Sequence, residues 1–329
     1  MTRNRPQRLI FSAAVIALLP AVPRSVAAQI GPPPPGRLVD VDGHSMHIHC
    51  AGSGSPTVVI DAGAGTSSIA WLHIQSRLAS FTRTCVFDRA GLGWSESRSE
   101  PRTGERAARE LRALLDGAAE EPPFVIVGHS YGGYTARIFV DLFREDVAGL
   151  GLLESAHQDQ WERLPPIIKQ LLDASMSDLR EKARAADDGR LRSDSVQVPD
   201  FFRHSALEAA YRAEQVDPDH YRTSLGEMEH MAVTITQLRN VAPLGTLPLV
   251  VLSSARGFDR YRGSPIPVEE SNRVWLELQD ELAALSEDAV HMVSQTAGHT
   301  LQYDEPEVVV GVIRELVLRA RMRPSELEH

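Results

Sequence analysis

The pentapeptide Gly-His-Ser-Tyr-Gly at 128–132 constrains the fold of this chain more than any other segment. It directly follows the apolar run 124–127 and precedes a helix-compatible stretch at 133–143. A Gly-x-Ser-x-Gly motif between a buried strand and a helix is typical of the nucleophile elbow, a strained turn that exposes the serine hydroxyl. The turn is so tight that both outer positions must be small, and both are glycines here. The sequence therefore predicts that the Ser130 hydroxyl projects from a strand end, near helix amides that favour negative charge.

Apolar segments with strand character alternate with amphipathic helical segments along most of the chain. We predict strands, including a hairpin, at 37–50, 57–61, 84–88, 124–127, 147–154, 247–253 and 291–294. We predict helices at 70–79, 103–117, 133–143, 268–285 and 305–321. This alternation indicates a doubly wound, mostly parallel α/β sheet with helices on both faces.

The segment 155–245 differs in character from the rest of the chain. It is rich in Arg, Asp, Glu and Ala, has helical periodicity, and contains no convincing strand. We therefore predict a helical cap inserted into a single α/β core, which is formed by 37–154 and 246–321. A chain of 329 residues with 43% hydrophobic composition is long enough for such a core with an insertion.

The first 28 residues have the pattern of a secretory signal peptide. Three arginines precede the apolar run 9–19, and small residues at 26–28 offer a cleavage site before Gln29. The apolar run is too short to span a bilayer readily, although an uncleaved anchor is the alternative. Residues 29–36 then form a proline-rich linker of extended polyproline type. We therefore expect a secreted or periplasmic protein with no stable membrane span after processing.

Net charge limits the classes of partner. The formal charge of the chain is −10, and loss of the four arginines in 1–28 would take it to −14. A protein this acidic, without a basic stripe, is poorly suited to bind nucleic acid or an anionic membrane. We expect no nucleic acid partner.

A serine hydroxyl is a weak nucleophile until a base accepts its proton. His299 is the best candidate base, because it follows the last predicted strand and precedes the last predicted helix. The alternative is an ordinary loop histidine. The three hairpin histidines at 44, 47 and 49 lack the cysteines and carboxylates of a metal site, and no phosphate-binding loop is present. We therefore expect no metal and no cofactor.

Four motifs occur in a fixed order: Ala-Gly-Ala-Gly at 62–65, Asp-Arg-Ala-Gly-Leu-Gly-Trp-Ser at 88–95, the elbow at 128–132, and Gly-His at 298–299. With these motifs the chain resembles the α/β-hydrolase superfamily, of the serine esterase and lipase type, over residues 37 to about 320. The resemblance implies an eight-stranded sheet. Members act on esters, lactones, amides, epoxides or haloalkanes, so the fold alone does not fix the substrate.

The resemblance also implies an oxyanion hole made of backbone amides. One amide follows the nucleophile and belongs here to Tyr131. The second comes from the loop after the third strand and would be that of Ala64, although this loop has Ala62 where many relatives have histidine. Because the donor is a backbone group, this difference need not remove the hole.

The catalytic acid has two candidates. In most relatives it follows the seventh strand, where this chain offers Asp259 in an arginine-rich loop. Some relatives place it after the sixth strand, where Glu154 closes a buried apolar segment. A carboxylate there needs a partner, since an unpaired buried charge is costly, and His299 would supply one. We predict Glu154 and keep Asp259 as the alternative.

The chain has two cysteines, Cys50 and Cys85. In the family fold the second and fourth strands are antiparallel neighbours, which would bring these residues side by side. Export to an oxidising compartment permits a disulfide between them, with two free thiols as the alternative.

These observations predict a serine hydrolase that cleaves a small-molecule carboxylic ester through the triad of Ser130, His299 and Glu154 and an acyl-enzyme. Alternatives are the same triad acting on lactones, amides or carbon–carbon bonds, or in perhydrolysis. A third possibility is a non-catalytic binding member of the fold.

Overall fold

The computed structural model describes residues 32–322 and contains an eight-stranded sheet. The strands are β1 (Arg37–Val41), β2 (His44–Ala51), β3 (Thr57–Asp61), β4 (Thr84–Phe87), β5 (Phe124–His129), β6 (Val147–Leu153), β7 (Leu249–Ser254) and β8 (Ala289–Ser294). Their order across the sheet is β1-β2-β4-β3-β5-β6-β7-β8. Only β2 runs antiparallel to its neighbours, and all other pairs are parallel. The predicted mostly parallel α/β sheet is confirmed.

Eleven α-helices accompany the sheet within the described residues. They are α1 (Leu72–Leu78), α2 (Gly104–Gly117), α3 (Gly132–Leu142), α4 (Gln160–Arg163), α5 (Pro166–Asp187), α6 (Glu208–Glu214), α7 (Pro218–Glu229), α8 (Met231–Leu238), α9 (Val268–Ala283), α10 (Leu301–Asp304) and α11 (Pro306–Met322). The predicted core helices all exist, with bounds that differ by one or two residues. The predicted start of α1 is too early, because Ser68–Ala70 form a separate 3₁₀ turn.

Two apolar layers cover the sheet. Alternate residues of the fully buried strands β3 and β5 point to opposite faces, which is why these strands read as continuous apolar runs. On one face, Val59 and Ile126 pack with side chains of α2 and α3. On the other, Val58 and Val125 pack with side chains of α1 and α11. This double burial fixes the carboxyl ends of β5 and β6, from which Ser130 and Glu154 follow.

Strand β2 of the β1–β2 hairpin carries one of the two cysteines of a disulfide. Asp42 and Gly43 both have positive φ, as a two-residue turn between twisted strands requires. Cys50 of β2 lies directly opposite Cys85 of β4, and the two are joined by a disulfide with a Cα–Cα distance of 4.0 Å.

Helices α4 to α8 lie between β6 and β7, in the segment 155–245. This segment contributes no strand to the sheet. Its long helix α5 packs on α7, and α8 packs on α2 and α3 of the core. We refer to 155–245 as the cap.

The described part of the proline-rich segment lies against the core. The Pro32 carbonyl accepts a hydrogen bond of 3.1 Å from Trp94 Nε1, and the Pro35 carbonyl accepts one of 2.5 Å from His47 Nε2. Residues 32–36 of the predicted linker therefore contact the core. The predicted signal peptide at 1–28 lies outside the described residues. Over 32–322, no helix combines the length and apolar character that crossing a membrane demands.

Candidate active site

Ser130 occupies a sharp turn between β5 and α3. Its φ of 51° lies in the left-handed region that side chains rarely adopt. A Cβ added to Gly128 would lie 2.4 Å from the Gly132 carbonyl oxygen, and one added to Gly132 would lie 2.3 Å from the Asp61 carbonyl oxygen. The backbone therefore passes too closely for any residue but glycine at both positions, as the motif predicts.

Three side chains form a continuous hydrogen-bonded chain at this turn. His299 lies in the loop between β8 and α10, and its Nε2 is 3.1 Å from Ser130 Oγ. Its Nδ1 is 3.0 Å from Glu154 Oε2. With Nδ1 protonated, the imidazole donates to the carboxylate, and Nε2 is free to accept the serine proton.

Glu154 is fully buried and also has positive φ, at 45°. Its Oε1 accepts a hydrogen bond of 2.6 Å from the Ser254 amide and one of 2.9 Å from Trp275 Nε1. With His299 on Oε2, three donors compensate the loss of hydration of this carboxylate. The glutamate is thus held in one orientation by β7 and α9.

Asp259, the alternative acid, is placed differently. Its carboxylate accepts hydrogen bonds from Arg256, Arg262 and Asn272, at 2.8 to 3.0 Å. Hydrogen bonds from Arg262 and then Arg256 lower the pKa of Asp259 to about 2. The structure brings Glu154, and not Asp259, to the imidazole of His299.

Ala64 and Tyr131, whose backbone amides are expected to form the oxyanion hole, line the same cavity as Ser130. A Cβ on Gly63 would be 3.4 Å from the Ser130 Cβ, so the loop that carries Ala64 lies against Ser130. Within residues 32–322, the amides of Ala64 and Tyr131 have no protein acceptor. Both are therefore available to an oxygen bound in the cavity.

A neighbouring histidine, His129, contacts the loop that carries His299. It is buried, and its Nε2 donates a hydrogen bond of 3.0 Å to the backbone carbonyl of His299. Burial, and then the proximity of His299, lower the pKa of His129 to about 3. It is therefore neutral at ordinary pH. Sequence analysis missed this role, because the second position of the elbow motif accepts any residue.

Sequence analysis also missed a buried ionic cluster behind the Ala62–Gly65 loop. Arg89 pairs with Asp61 at 2.6 Å and with Glu227 of α7 at 2.6 Å. The sequence does single out Arg89 and Asp61, because Arg89 belongs to the 88–95 motif and Asp61 closes a buried strand. It does not single out Glu227, because that residue lies in the cap.

The cavity next to Ser130 has a volume of about 270 Å³. Helices α4, α5, α7 and α8 of the cap, the loop after β7 and helix α9 supply most of its wall. Apolar and aromatic side chains dominate, and no carboxylate of the described chain lines it. Representative lining residues are Trp161, Leu164, Ile168, Met228, Met231, Phe258 and Trp275.

Histidines outside this site have other partners. His47 is buried, with its Nδ1 2.7 Å from Asp88 Oδ2. Desolvation lowers the pKa of His47, but the charge of Asp88 and the hydrogen bonds outweigh it, so that the pKa is raised overall. His157 approaches Asp159 and Glu281 closely enough to share a cation. Both of these carboxylates, however, already pair with arginines, which makes a cation there unfavourable.

Comparison with known sequences identifies the family of the chain. A profile of the alpha/beta hydrolase family matches residues 58–312, most of the chain. The chain belongs to the alpha/beta hydrolase family. It is 25% identical over 270 residues to the protein YqjL of Bacillus subtilis (strain 168), covering 82% of this chain and 87% of YqjL.

Solved structures share the fold. A thermophilic esterase from Thermogutta terrifontis superposes with a TM-score of 0.57 and 20% identity, over 86% of this chain and 98% of the esterase. The haloalkane dehalogenase DatA from Agrobacterium tumefaciens gives a TM-score of 0.63 and 18% identity, over 86% and 96% of the two chains. Hydrolases of different chemistry thus share this architecture, and the reaction must be argued from the site.

Proposed function

We propose that this hydrolase cleaves carboxylic esters with Ser130 as nucleophile, His299 as base and Glu154 as acid. The observation that carries the proposal is the hydrogen-bonded chain from Ser130 Oγ through both nitrogens of His299 to a buried carboxylate. The family resemblance implies an aspartate nucleophile for epoxide hydrolases and dehalogenases. A serine at that position therefore favours acyl transfer.

The mechanism follows from these positions. Ser130 Oγ attacks the ester carbonyl carbon while His299 Nε2 accepts its proton, and Glu154 stabilises the resulting imidazolium. The amides of Ala64 and Tyr131 donate to the oxyanion that forms. Collapse of this intermediate breaks the bond to the alcohol oxygen, which takes the proton from His299. Water, deprotonated by His299, then attacks the acyl-enzyme. Collapse of this second intermediate breaks the bond to Ser130 Oγ, which takes the proton back from His299, and the acid is released.

The cavity favours a substrate with an apolar group. Its wall is dominated by aliphatic and aromatic side chains, which gain from burying hydrocarbon at about 25 cal/mol per Å². A small-molecule ester with an alkyl or aryl group fits a volume of about 270 Å³.

We also propose that the protein acts outside the cytoplasm, in the periplasm or the extracellular space. The basic and apolar pattern of 1–28 supports this, as does the Cys50–Cys85 disulfide, which persists in oxidising compartments.

Covalent labelling tests the proposed nucleophile. A fluorophosphonate probe should label the folded wild-type protein, and Ser130→Ala should abolish both labelling and ester hydrolysis. A panel of p-nitrophenyl esters and lactones of increasing chain length then identifies the preferred substrate. Absence of labelling in folded wild-type protein, or equal labelling of Ser130→Ala, would contradict serine hydrolase chemistry and favour a binding function.

A further inference from the structure

The Ala62–Gly65 loop is held from behind by one arginine. Arg89 Nη1 donates to the Ala62 carbonyl at 2.7 Å, and Nη2 donates to the Gly63 carbonyl at 2.7 Å. The Gly63 carbonyl belongs to the same peptide unit as the Ala64 amide. Arg89 therefore binds the carbonyl end of the peptide unit whose N–H belongs to Ala64, a residue that lines the cavity.

This contact has two physical consequences for the Ala64 amide. It fixes the rotation of the peptide plane, which sets the direction of the N–H. It also polarises the peptide, because a hydrogen bond to a carbonyl from a cation strengthens the donor at the other end. The guanidinium carbon also lies 5.4 Å from the centre of the Tyr131 ring, so the cation that binds the Gly63 carbonyl also contacts Tyr131.

Arg89 is itself fully constrained. Besides the two carbonyls, it donates to Asp61 at 2.6 Å and to both oxygens of Glu227, at 2.6 and 3.2 Å. All five guanidinium N–H groups therefore have acceptors. Burial alone would lower the pKa of Arg89, but the charges of Glu227 and Asp61 outweigh it and raise the pKa.

The cap supplies one side of this arrangement. Glu227 lies on α7, and its Oε2 also accepts a hydrogen bond of 3.0 Å from the Gly65 amide. The next residue, Met228, lines the substrate cavity. A single helix of the cap thus contacts both the cavity and the loop that carries Ala64.

We propose that Arg89 is a positioning residue of the oxyanion hole and that the cap holds it in place through Glu227. The inference rests on the proposed function, because it assigns the Ala64 amide to an oxyanion. It goes further in making the cap part of the catalytic geometry as well as a wall of the pocket.

Kinetics of Arg89→Gln test the proposal. Removing one oxyanion donor outright costs about 10² to 10³ in kcat, so a displaced donor should cost about 10- to 100-fold. We expect kcat to fall by this factor with little change in KM. The affinity for an alkyl trifluoromethyl ketone, whose adduct with Ser130 carries an oxyanion, should fall by the same factor.

Two further variants complete the design. Glu227→Gln keeps an oxygen for the Gly65 amide but removes the charge that holds Arg89, so kcat and ketone affinity should fall together by a smaller factor. Arg83→Gln is the matched control, since Arg83 also pairs with a buried carboxylate, Glu120, but far from the site. It should leave both quantities unchanged.

One readout needs no catalytic activity. In ¹⁵N-alanine-labelled protein, the Ala64 amide proton should move upfield in Arg89→Gln and stay in place in Arg83→Gln. If Arg89→Gln does not fold, Glu227→Gln supplies the same comparison. Unchanged kinetics and an unchanged Ala64 resonance in a folded variant would overturn the proposal, as would equal losses in Arg83→Gln. If the fluorophosphonate probe failed to label the wild-type protein, the proposed function would be contradicted instead. The chemical shift of the Ala64 amide proton would still test whether Arg89 positions that amide.

Discussion

At the scale of single residues, Glu154 and Asp259 show how environment separates the two candidate acids. Glu154 is buried, and His299 and two neutral N–H groups surround it. Asp259 lies among arginines that satisfy its charge. A protonated His299 would therefore supply the counter-charge of Glu154, as a triad acid requires. Asp259 already has arginines as its counter-charges.

Substitution of each carboxylate by its amide distinguishes the two. Glu154→Gln should lower kcat by about 10³- to 10⁴-fold, because the amide favours the wrong tautomer of His299 and cannot stabilise the imidazolium. Asp259→Asn should change kcat little. Hydrolysis of one p-nitrophenyl ester by both variants is the measurement, with circular dichroism to verify folding. A large loss in Asp259→Asn and a small one in Glu154→Gln would move the acid to Asp259.

At the scale of elements, the turn between β5 and α3 depends on close backbone contact. A Cβ on Gly132 would meet the carbonyl oxygens of Asp61 and Ala62, at 2.3 and 2.6 Å. These oxygens end β3 and begin the Ala62–Gly65 loop, so neither can move without displacing part of the site.

Gly132→Ala should therefore destabilise the protein by about 1–3 kcal/mol, as overpacking does, and should also reduce kcat. Gly311→Ala is the matched control, because Gly311 lies in α11 with no atom within 4 Å of an added Cβ. There the change should stabilise the protein by about 0.5–1 kcal/mol. Urea unfolding and ester hydrolysis of both variants provide the comparison. Equal stability of the two variants would show that the elbow tolerates a side chain.

The elements differ in how well the sequence predicts them. Strands such as β3 and β5 are evident because burial on both faces makes them continuously apolar. The Ser130 turn is evident because only glycine fits its outer positions. The individual helices of the cap could not be placed, because their exposed faces leave no such pattern. Their orientation depends on tertiary contacts such as that of α5 with α7.

At the scale of the whole molecule, the site joins residues that are distant in sequence. Arg89 and Glu227 are 138 residues apart, and no local pattern links them. Ser130 and His299 are 169 apart, yet motif order alone suggested their pairing. The two pairs differ for a physical reason. Ser130 and His299 follow strand ends, whose positions the order of strands in a known fold predicts. The contact of Arg89 with Glu227 joins core and cap, and it depends on side-chain packing.

The disulfide belongs to this scale, because it links stability to the compartment in which the chain folds. The Cys50–Cys85 bridge closes a loop with a sequence separation of 35. Restricting the unfolded chain by such a loop contributes about 2–4 kcal/mol. We expect the protein, exported from a bacterial host with residues 1–28 attached, to begin at Gln29 and to contain the bridge, as shown by N-terminal sequencing and non-reducing mass mapping.

The double variant Cys50→Ser with Cys85→Ser should lose about 2–4 kcal/mol of the free energy of unfolding in urea. It should retain kcat, since the bridge joins β2 to β4, away from Ser130. Reductant should destabilise the wild-type protein to the same extent and leave the double variant unaffected. The bridge would have no role in stability if reductant left wild-type unfolding unchanged, and the proposed export would fail if the mature protein retained residues 1–28 in the cytoplasm.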